Sequence, residues 1–167
     1  MRVVIAGMGV QGRKRKDICG ENFVAYVDPH VNGAQYKTIQ EVPLESYDAV
    51  LACIPDEPKY ELLNYCLQRG KHVLVEKPLL LGDQEHFNEL TALARKNKAV
   101  CYTAYNHRFE PHFVRMAALI RSGELGKIYS CRMFYGNGTA RLVRNSAWRD
   151  QGGGVLPDLG SHLIDTC

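Results

Sequence analysis

Asp158 and His162 stand four positions apart near the end of the chain, at a spacing suited to proton transfer. Residues i and i+4 share one face of a helix, so the carboxylate would lie beside the imidazole. A free imidazole titrates near pH 6.5, so close to neutrality it can take a hydroxyl proton and release it again. Ser161 and Asp165 repeat the spacing, and Gly152-Gly153-Gly154 lead into the segment as a glycine-rich loop. Plainer roles are open to the same residues: Asp158 as the N-cap of the last helix, His162 as a satisfied core histidine, Asp165 as structural support.

A second group of residues has the chemistry of dinucleotide binding. Gly7, Gly9 and Gly12 form a G-x-G-x-x-G pattern with Val10 and Gln11, just after an apolar run and at the start of a predicted helix. The first glycine permits a tight turn, the second lets backbone approach a pyrophosphate, and the third allows close helix packing. Backbone N–H groups at the helix start favour the phosphate charge. Asp28 closes the next strand, where its carboxylate can accept from a ribose 2′-hydroxyl and repel a 2′-phosphate. NAD is therefore expected over NADP, with a turn-forming aspartate before Pro29 as the alternative. Glu76-Lys77-Pro78 is a third group. A proline there aims the lysine from a rigid turn, and a lysine near a nicotinamide can stabilise negative charge as hydride leaves. A surface lysine after a strand is the simpler reading.

These residues need a scaffold, and the apolar pattern supplies one. Strands are expected at Val3 to Ala6, Phe23 to Val27, Ala49 to Ile54, His72 to Val75 and Ala99 to Ala104. Helices are expected at about Val10 to Cys19, Pro58 to Arg69 and Asp83 to Asn97, with only a short strand near Tyr36 within residues 30–47. Short apolar strands alternating with helices imply a parallel sheet covered on both faces. Ligands of such sheets bind where the loops leave the carboxyl ends of the strands, which is where Gly7, Asp28, Pro55, Lys77 and Asn106 fall. After Pro111, an apolar stripe of Phe113, Met116, Ala117 and Ile120 predicts a helix ended by Gly123. Lys127 to Tyr135 alternates as a strand without an obvious partner, so either further strands or a second copy must pair it.

Bulk composition narrows the class. The 167 residues are 46% hydrophobic and 23% charged, with net charge +3, which is ordinary globular composition. Apolar runs are strand-sized, too short for a transmembrane helix. The immediate strand at Arg2 leaves no room for a signal peptide, and six scattered cysteines suit reduced, mostly buried thiols. A cytoplasmic location is expected, with no metal site and no membrane partner. The basic run Arg13-Lys14-Arg15-Lys16 is read as a solvated helix face, since no nucleic-acid recognition motif accompanies it, with help toward cofactor phosphates as the alternative.

The order of Gly7 to Gly12, Glu76-Lys77-Pro78, Tyr105-Asn106-His107-Arg108-Phe109, Trp148-Arg149 and Gly153-Gly154 through Asp158 to Asp165 closely resembles the Gfo/Idh/MocA oxidoreductases. The resemblance implies an α/β fold: a Rossmann doubly wound parallel sheet over residues 1–109, then an incomplete α+β second domain, the beginning of a substrate domain, over 110–167. It implies NAD(P)-dependent hydride transfer at a secondary alcohol of a sugar, cyclitol or nucleotide-sugar. Lys77, Asp158 and His162 take the catalytic roles, with His162 as general base. Gly7, Gly9, Val10, Gln11, Gly12, Asp28, Pro55, Glu76, Lys77, Asn106, Trp148 and Arg149 fall to the cofactor, and Arg108 is expected as a buried ion-pair partner. The family often has a histidine shortly after the proline of the third strand, where Lys59 stands here. Members are about twice this length, so a missing second half is expected. A homo-oligomer built through the second-domain sheet is the expected assembly, and a dinucleotide-binding sensor or inactive fragment is the alternative function. The loop Gly136 to Arg141 is a candidate substrate contact through Arg141 or Arg144, or a plain surface loop.

Overall fold

Four short runs rich in valine and a fifth of Cys-Tyr-Thr become strands: β1 (Val3–Ala6), β2 (Phe23–Val27), β3 (Ala49–Ala52), β4 (His72–Val75) and β5 (Cys101–Thr103). In the computed structural model, which describes residues 1–136 and 156–167, they form one parallel sheet in the order β2-β1-β3-β4-β5. All four residues of β1 are buried, as expected of a strand covered on both faces. Val27, Ala6, Ala52, Val75 and Thr103 pair in one row across the sheet. That row is the carboxyl edge, so the segments starting at Asp28, Gly7, Cys53 and Glu76 leave the sheet side by side.

The weakly patterned stretch between β2 and β3 has a physical explanation. Tyr36 makes a single parallel bridge to Val27, on the far side of β2 from β1. Two 3-10 turns follow, Ile39–Glu41 and Leu44–Ser46. One bridge and two short turns create no sustained period, yet Ile39, Val42 and Tyr47 are buried and close this end of the core. The strand order therefore reverses at β1, with β3, β4 and β5 on its other side. Such a reversal is the crevice where doubly wound sheets hold their ligands.

Three helices cover the sheet: α1 (Val10–Cys19), α2 (Lys59–Gln68) and α3 (Gln84–Lys96). Burying a leucine fully contributes about 1.5–3 kcal/mol, and α2 supplies Leu63, Leu67 and the neighbouring Cys66 at complete burial. Asp83 caps α3 by accepting from the His86 N–H at 2.9 Å. Helix α1 is different, because Gly12 is its one buried residue. It is held by close backbone approach rather than by an apolar face.

Two compact units divide the chain, Met1–Ala104 and Tyr105–Cys167. In the second, a 3-10 turn (Asn106–Phe109) leads into α4 (Pro111–Ser122), which starts on proline and ends at Gly123 in the left-handed region, φ 78°. The expected strand from Lys127 to Tyr135 does not form; the segment makes no sheet ladder among the described residues. A strand exists only through its partner's hydrogen bonds, and none is supplied by the described residues. Ile128, Tyr129 and Phe134 are exposed along it. The last segment also departs from a simple helix. Leu156–Gly160 is a π-helical turn, and only Ser161–Asp165 (α5) is α-helical, with Gly160 rather than Asp158 at the N-cap position. The wider π turn places Asp158 differently from an i, i+4 neighbour of His162 on one regular helix.

Candidate active site

The three loop glycines meet three different surroundings. Gly7 has φ +89°, and its N–H donates to the Val27 carbonyl at 2.9 Å. A Cβ there would lie 2.4 Å from the Cys53 carbonyl oxygen, so the turn between β1 and α1 admits glycine alone. At Gly12 a Cβ would stand 1.9 Å from the Gly7 carbonyl oxygen, which is why α1 can sit so close to the loop. Gly9 is exposed and a Cβ would meet nothing within 4 Å. Val10 and Gln11 beside it are exposed as well. The start of α1 thus presents backbone to open space, a shape that fits the pyrophosphate of a dinucleotide.

Asp28 is 8% exposed. Its carboxylate accepts from three backbone N–H groups: Met8 at 2.8 Å, His30 at 2.9 Å and Val31 at 3.2 Å. Desolvation opposes its ionisation, but the hydrogen bonds from Met8, His30 and Val31 outweigh it and hold the carboxyl below its ordinary range. The residue ties the glycine loop to the turn after β2. A carboxylate has about four lone-pair sites, so acceptor capacity remains for a ribose hydroxyl.

Pro55 is exposed at the mouth of β3, and Glu76 and Lys77 are half-buried at the mouth of β4. The Lys77–Pro78 peptide is cis. Glu76 is paired with Arg15, whose Nε and terminal nitrogen lie 2.8 and 2.7 Å from Oε1. The basic run is therefore not uniformly a solvated face. Arg13, Lys14 and Lys16 are exposed, while Arg15 turns inward to the sheet edge.

One residue of this region had no functional role in the sequence. Lys59 is 2% exposed, and its ammonium donates to Asp56 Oδ1 at 2.6 Å, the Glu76 carbonyl at 3.0 Å and the Pro78 carbonyl at 2.6 Å. In the sequence it stands only where the family often has a histidine, with no role attached. Two of its three acceptors are backbone atoms 17 and 19 residues away, and carbonyls leave no trace in residue type.

In the second unit, His162 is 6% exposed and lies among aromatic rings. His107 stacks on it with centroids 4.3 Å apart, and Tyr105 and Tyr135 meet it edge-on at 5.7 and 5.9 Å. His107 and Tyr135 were missed as its neighbours. The clue was the placing of His107 within the Tyr105 to Phe109 motif. Asp158 is half-buried in the π turn, and Asn106 is exposed with its amide 3.5 Å from Glu110 Oε1. Arg108 grips Asp165 through Nε at 2.9 Å to both carboxylate oxygens. The expectation of a buried arginine is corrected: Asp165 is the buried end, 6% exposed, and Arg108 is 52% exposed. Trp148, Arg149, the glycine run 152–154, Arg141 and Arg144 lie outside the described residues.

The cysteines are less buried than expected. Cys66 is buried, Cys19, Cys53 and Cys101 are half-buried, and Cys131 and Cys167 are exposed; all are free thiols. Among the described residues, no helix is long and apolar enough to cross a membrane.

Residues 1–105 match the family model of an oxidoreductase family with an NAD-binding Rossmann fold, and residues 113–167 match the GFO/IDH/MocA C-terminal domain. The chain belongs to the Gfo/Idh/MocA oxidoreductase family. An uncharacterized oxidoreductase of Schizosaccharomyces pombe is 36% identical over 135 residues, covering 78% of this chain and 36% of that protein. The scyllo-inositol 2-dehydrogenase (NADP(+)) of Bacillus subtilis is 34% identical over 122 residues, covering 71% of this chain and 33% of the dehydrogenase. This Gfo/Idh/MocA chain thus spans about a third of the length of these curated relatives. A solved inositol dehydrogenase homolog from Azotobacter vinelandii, complexed with NADH and myo-inositol, shares the fold at TM-score 0.77 and 22% identity. That match covers 99% of this chain and 51% of the other.

Proposed function

We propose that this chain binds NAD at the carboxyl edge of its sheet and serves hydride transfer at a secondary alcohol of a sugar, cyclitol or nucleotide-sugar. The observation that carries the reading is the loop itself. An exposed helix start with open space at Gly9 adjoins Asp28, whose ionised carboxylate is pinned by Met8 of the same loop. Asp28 favours NAD, because its negative charge repels a 2′-phosphate. The NADP(+) in the name of the B. subtilis relative makes this choice a direct object of the test. Names of relatives that act on inositols support the cyclitol class.

Bound NAD would supply the hydride acceptor. Gly7, Gly9, Val10, Gln11 and Gly12 would hold its pyrophosphate, with Pro55, Glu76, Asn106, Trp148 and Arg149 as further contacts. Lys77 would donate a hydrogen bond to the substrate oxygen. His162 would take the hydroxyl proton, and Asp158 would orient the imidazole or the substrate. The aromatic rings around His162 restrict its rotation and exclude water from its faces, as a positioned base requires.

NADH fluorescence titration, followed by turnover assays on a panel of inositols, sugars and nucleotide-sugars, tests this directly. Turnover lost in both Lys77→Ala and His162→Asn, with NADH binding kept, supports the assignment. No dinucleotide binding by the purified chain would sink it. The loop glycines and Asp28 all lie in the first unit, which favours one alternative, a dinucleotide-binding module without turnover. NADH binding with no activity on any panel member selects that alternative.

A further inference from the structure

We infer that Lys59 is the positioning residue for Lys77, an inference that rests on the assignment of Lys77 to the reaction. An ammonium carries three N–H donors and no acceptor. At Lys59 all three are used, by the Asp56 carboxylate and by the carbonyls of Glu76 and Pro78. Those two carbonyls flank Lys77 on either side in the sequence. A single cation therefore grips the backbone immediately before and shortly after the residue whose side chain must be aimed.

The grip is well insulated from solvent. The Lys59 side chain is 3% exposed, while that of Asp56 is 44% exposed and can adjust to its partner. A buried ammonium persists only where it is paired and fully hydrogen-bonded, and here every donor is met within 3.0 Å. The attachment joins two crossings of the carboxyl edge, the loop after β3 and the loop after β4. Glu76 is fixed independently from the other side by Arg15. Lys77 thus leaves a backbone held on one flank by two attachments, and on the other by Lys59.

The residue need not touch cofactor or substrate to matter, because catalysis is sensitive to placement on the scale of an ångström. Removing the ammonium leaves two carbonyls without their donor and releases the loop after β4. Folding of the sheet would continue to depend on the buried strands and on Leu63 and Leu67 of α2.

The test uses the full chain and its Lys59→Met variant, with trace acetylation of lysines read by mass spectrometry in the presence and absence of saturating NADH. NADH is expected to slow acetylation of Lys77 in the unaltered chain. In Lys59→Met the protection is lost although NADH still binds by fluorescence. Protection of Lys77 retained in the variant overturns the proposal. Absence of protection in the unaltered chain instead refutes the assignment of Lys77 to the cofactor. Hydrogen exchange of the Lys77 and Leu79 amides, measured without NADH, then decides the positioning claim alone. Faster exchange in the variant supports it, and unchanged exchange overturns it. Should Lys59→Met fail to fold, Lys59→Gln, whose amide ends one bond short of the ammonium position and cannot reach all three acceptors, takes its place: faster exchange at Lys77 and Leu79 supports the proposal, and unchanged exchange overturns it.

Discussion

Substituting alanine at Gly9 and at Gly12 separates binding from folding within a single loop. At Gly12 the new Cβ lies 1.9 Å from the Gly7 carbonyl oxygen, where ordinary contact begins at 3.4 Å. The atom in the way is backbone, so either α1 or the loop must move by roughly 1.5 Å in a close-packed region. Overpacking of this kind costs about 1–3 kcal/mol, with an immovable obstacle at the upper end. Against it stands a gain of about 0.4–1 kcal/mol from restricting the unfolded chain. The net loss is about 2 kcal/mol, or a fall of roughly 4–8 °C in melting temperature for a chain of this size. Gly9 differs in both respects. Its backbone is extended, φ −67° and ψ −161°, and its surroundings are open. A weaker N-cap costs about 0.5–1 kcal/mol and the unfolded-state gain offsets it, so stability stays near that of the unaltered chain. The methyl group stands where the pyrophosphate would approach, and NADH affinity should fall at least about tenfold, or ~1.4 kcal/mol. Calorimetry and NADH fluorescence titration on both variants read the two quantities separately. Unchanged melting of Gly12→Ala, or unweakened NADH binding by Gly9→Ala, would refute the reasoning.

Asp28 should make stability depend on acid. Its folded carboxyl titrates below the ordinary value, so its contribution is complete above about pH 4 and disappears as pH falls through the folded value. Urea unfolding at pH 7 and pH 3 should show a smaller drop for Asp28→Asn than for the unaltered chain, and the same variant should bind NADH more weakly. Arg108→Ala leaves the Asp165 carboxylate short of its bidentate partner and should cost about 1.5–3 kcal/mol, measured by urea unfolding followed at the second unit. Thiol labelling at pH 8 should be fast at the exposed Cys131 and Cys167. It should be slow at Cys53 and Cys66, where burial, joined at Cys53 by the nearby Glu76, pushes the thiol up to about 12. Peptide mapping after a brief pulse distinguishes the sites.

Local chemistry was legible wherever one residue type does a job that few others can do. The glycine loop, the strands with their apolar runs, Gly123 as a helix end, and the position of Asp28 at the end of β2 all follow from backbone sterics and burial. Those constraints act within a few residues, so a linear pattern records them. The π turn at Leu156–Gly160 was less readable, because period alone does not distinguish it from one turn of α-helix. The segment from Lys127 to Tyr135 shows the converse: alternation met the local requirement of a strand, but a ladder needs a second chain segment to accept its hydrogen bonds.

Tertiary structure alone decided who holds whom. Arg15 on Glu76, Lys59 on the carbonyls around Lys77, Arg108 on Asp165 and His107 on His162 join residues 17 to 61 positions apart. Nothing in the sequence singles out the inward lysine from Lys14 or Lys16, since all carry the same charge on the same stem. The difference is whether folding brings acceptors to the tip once water has been removed, and only the closed sheet edge supplies them.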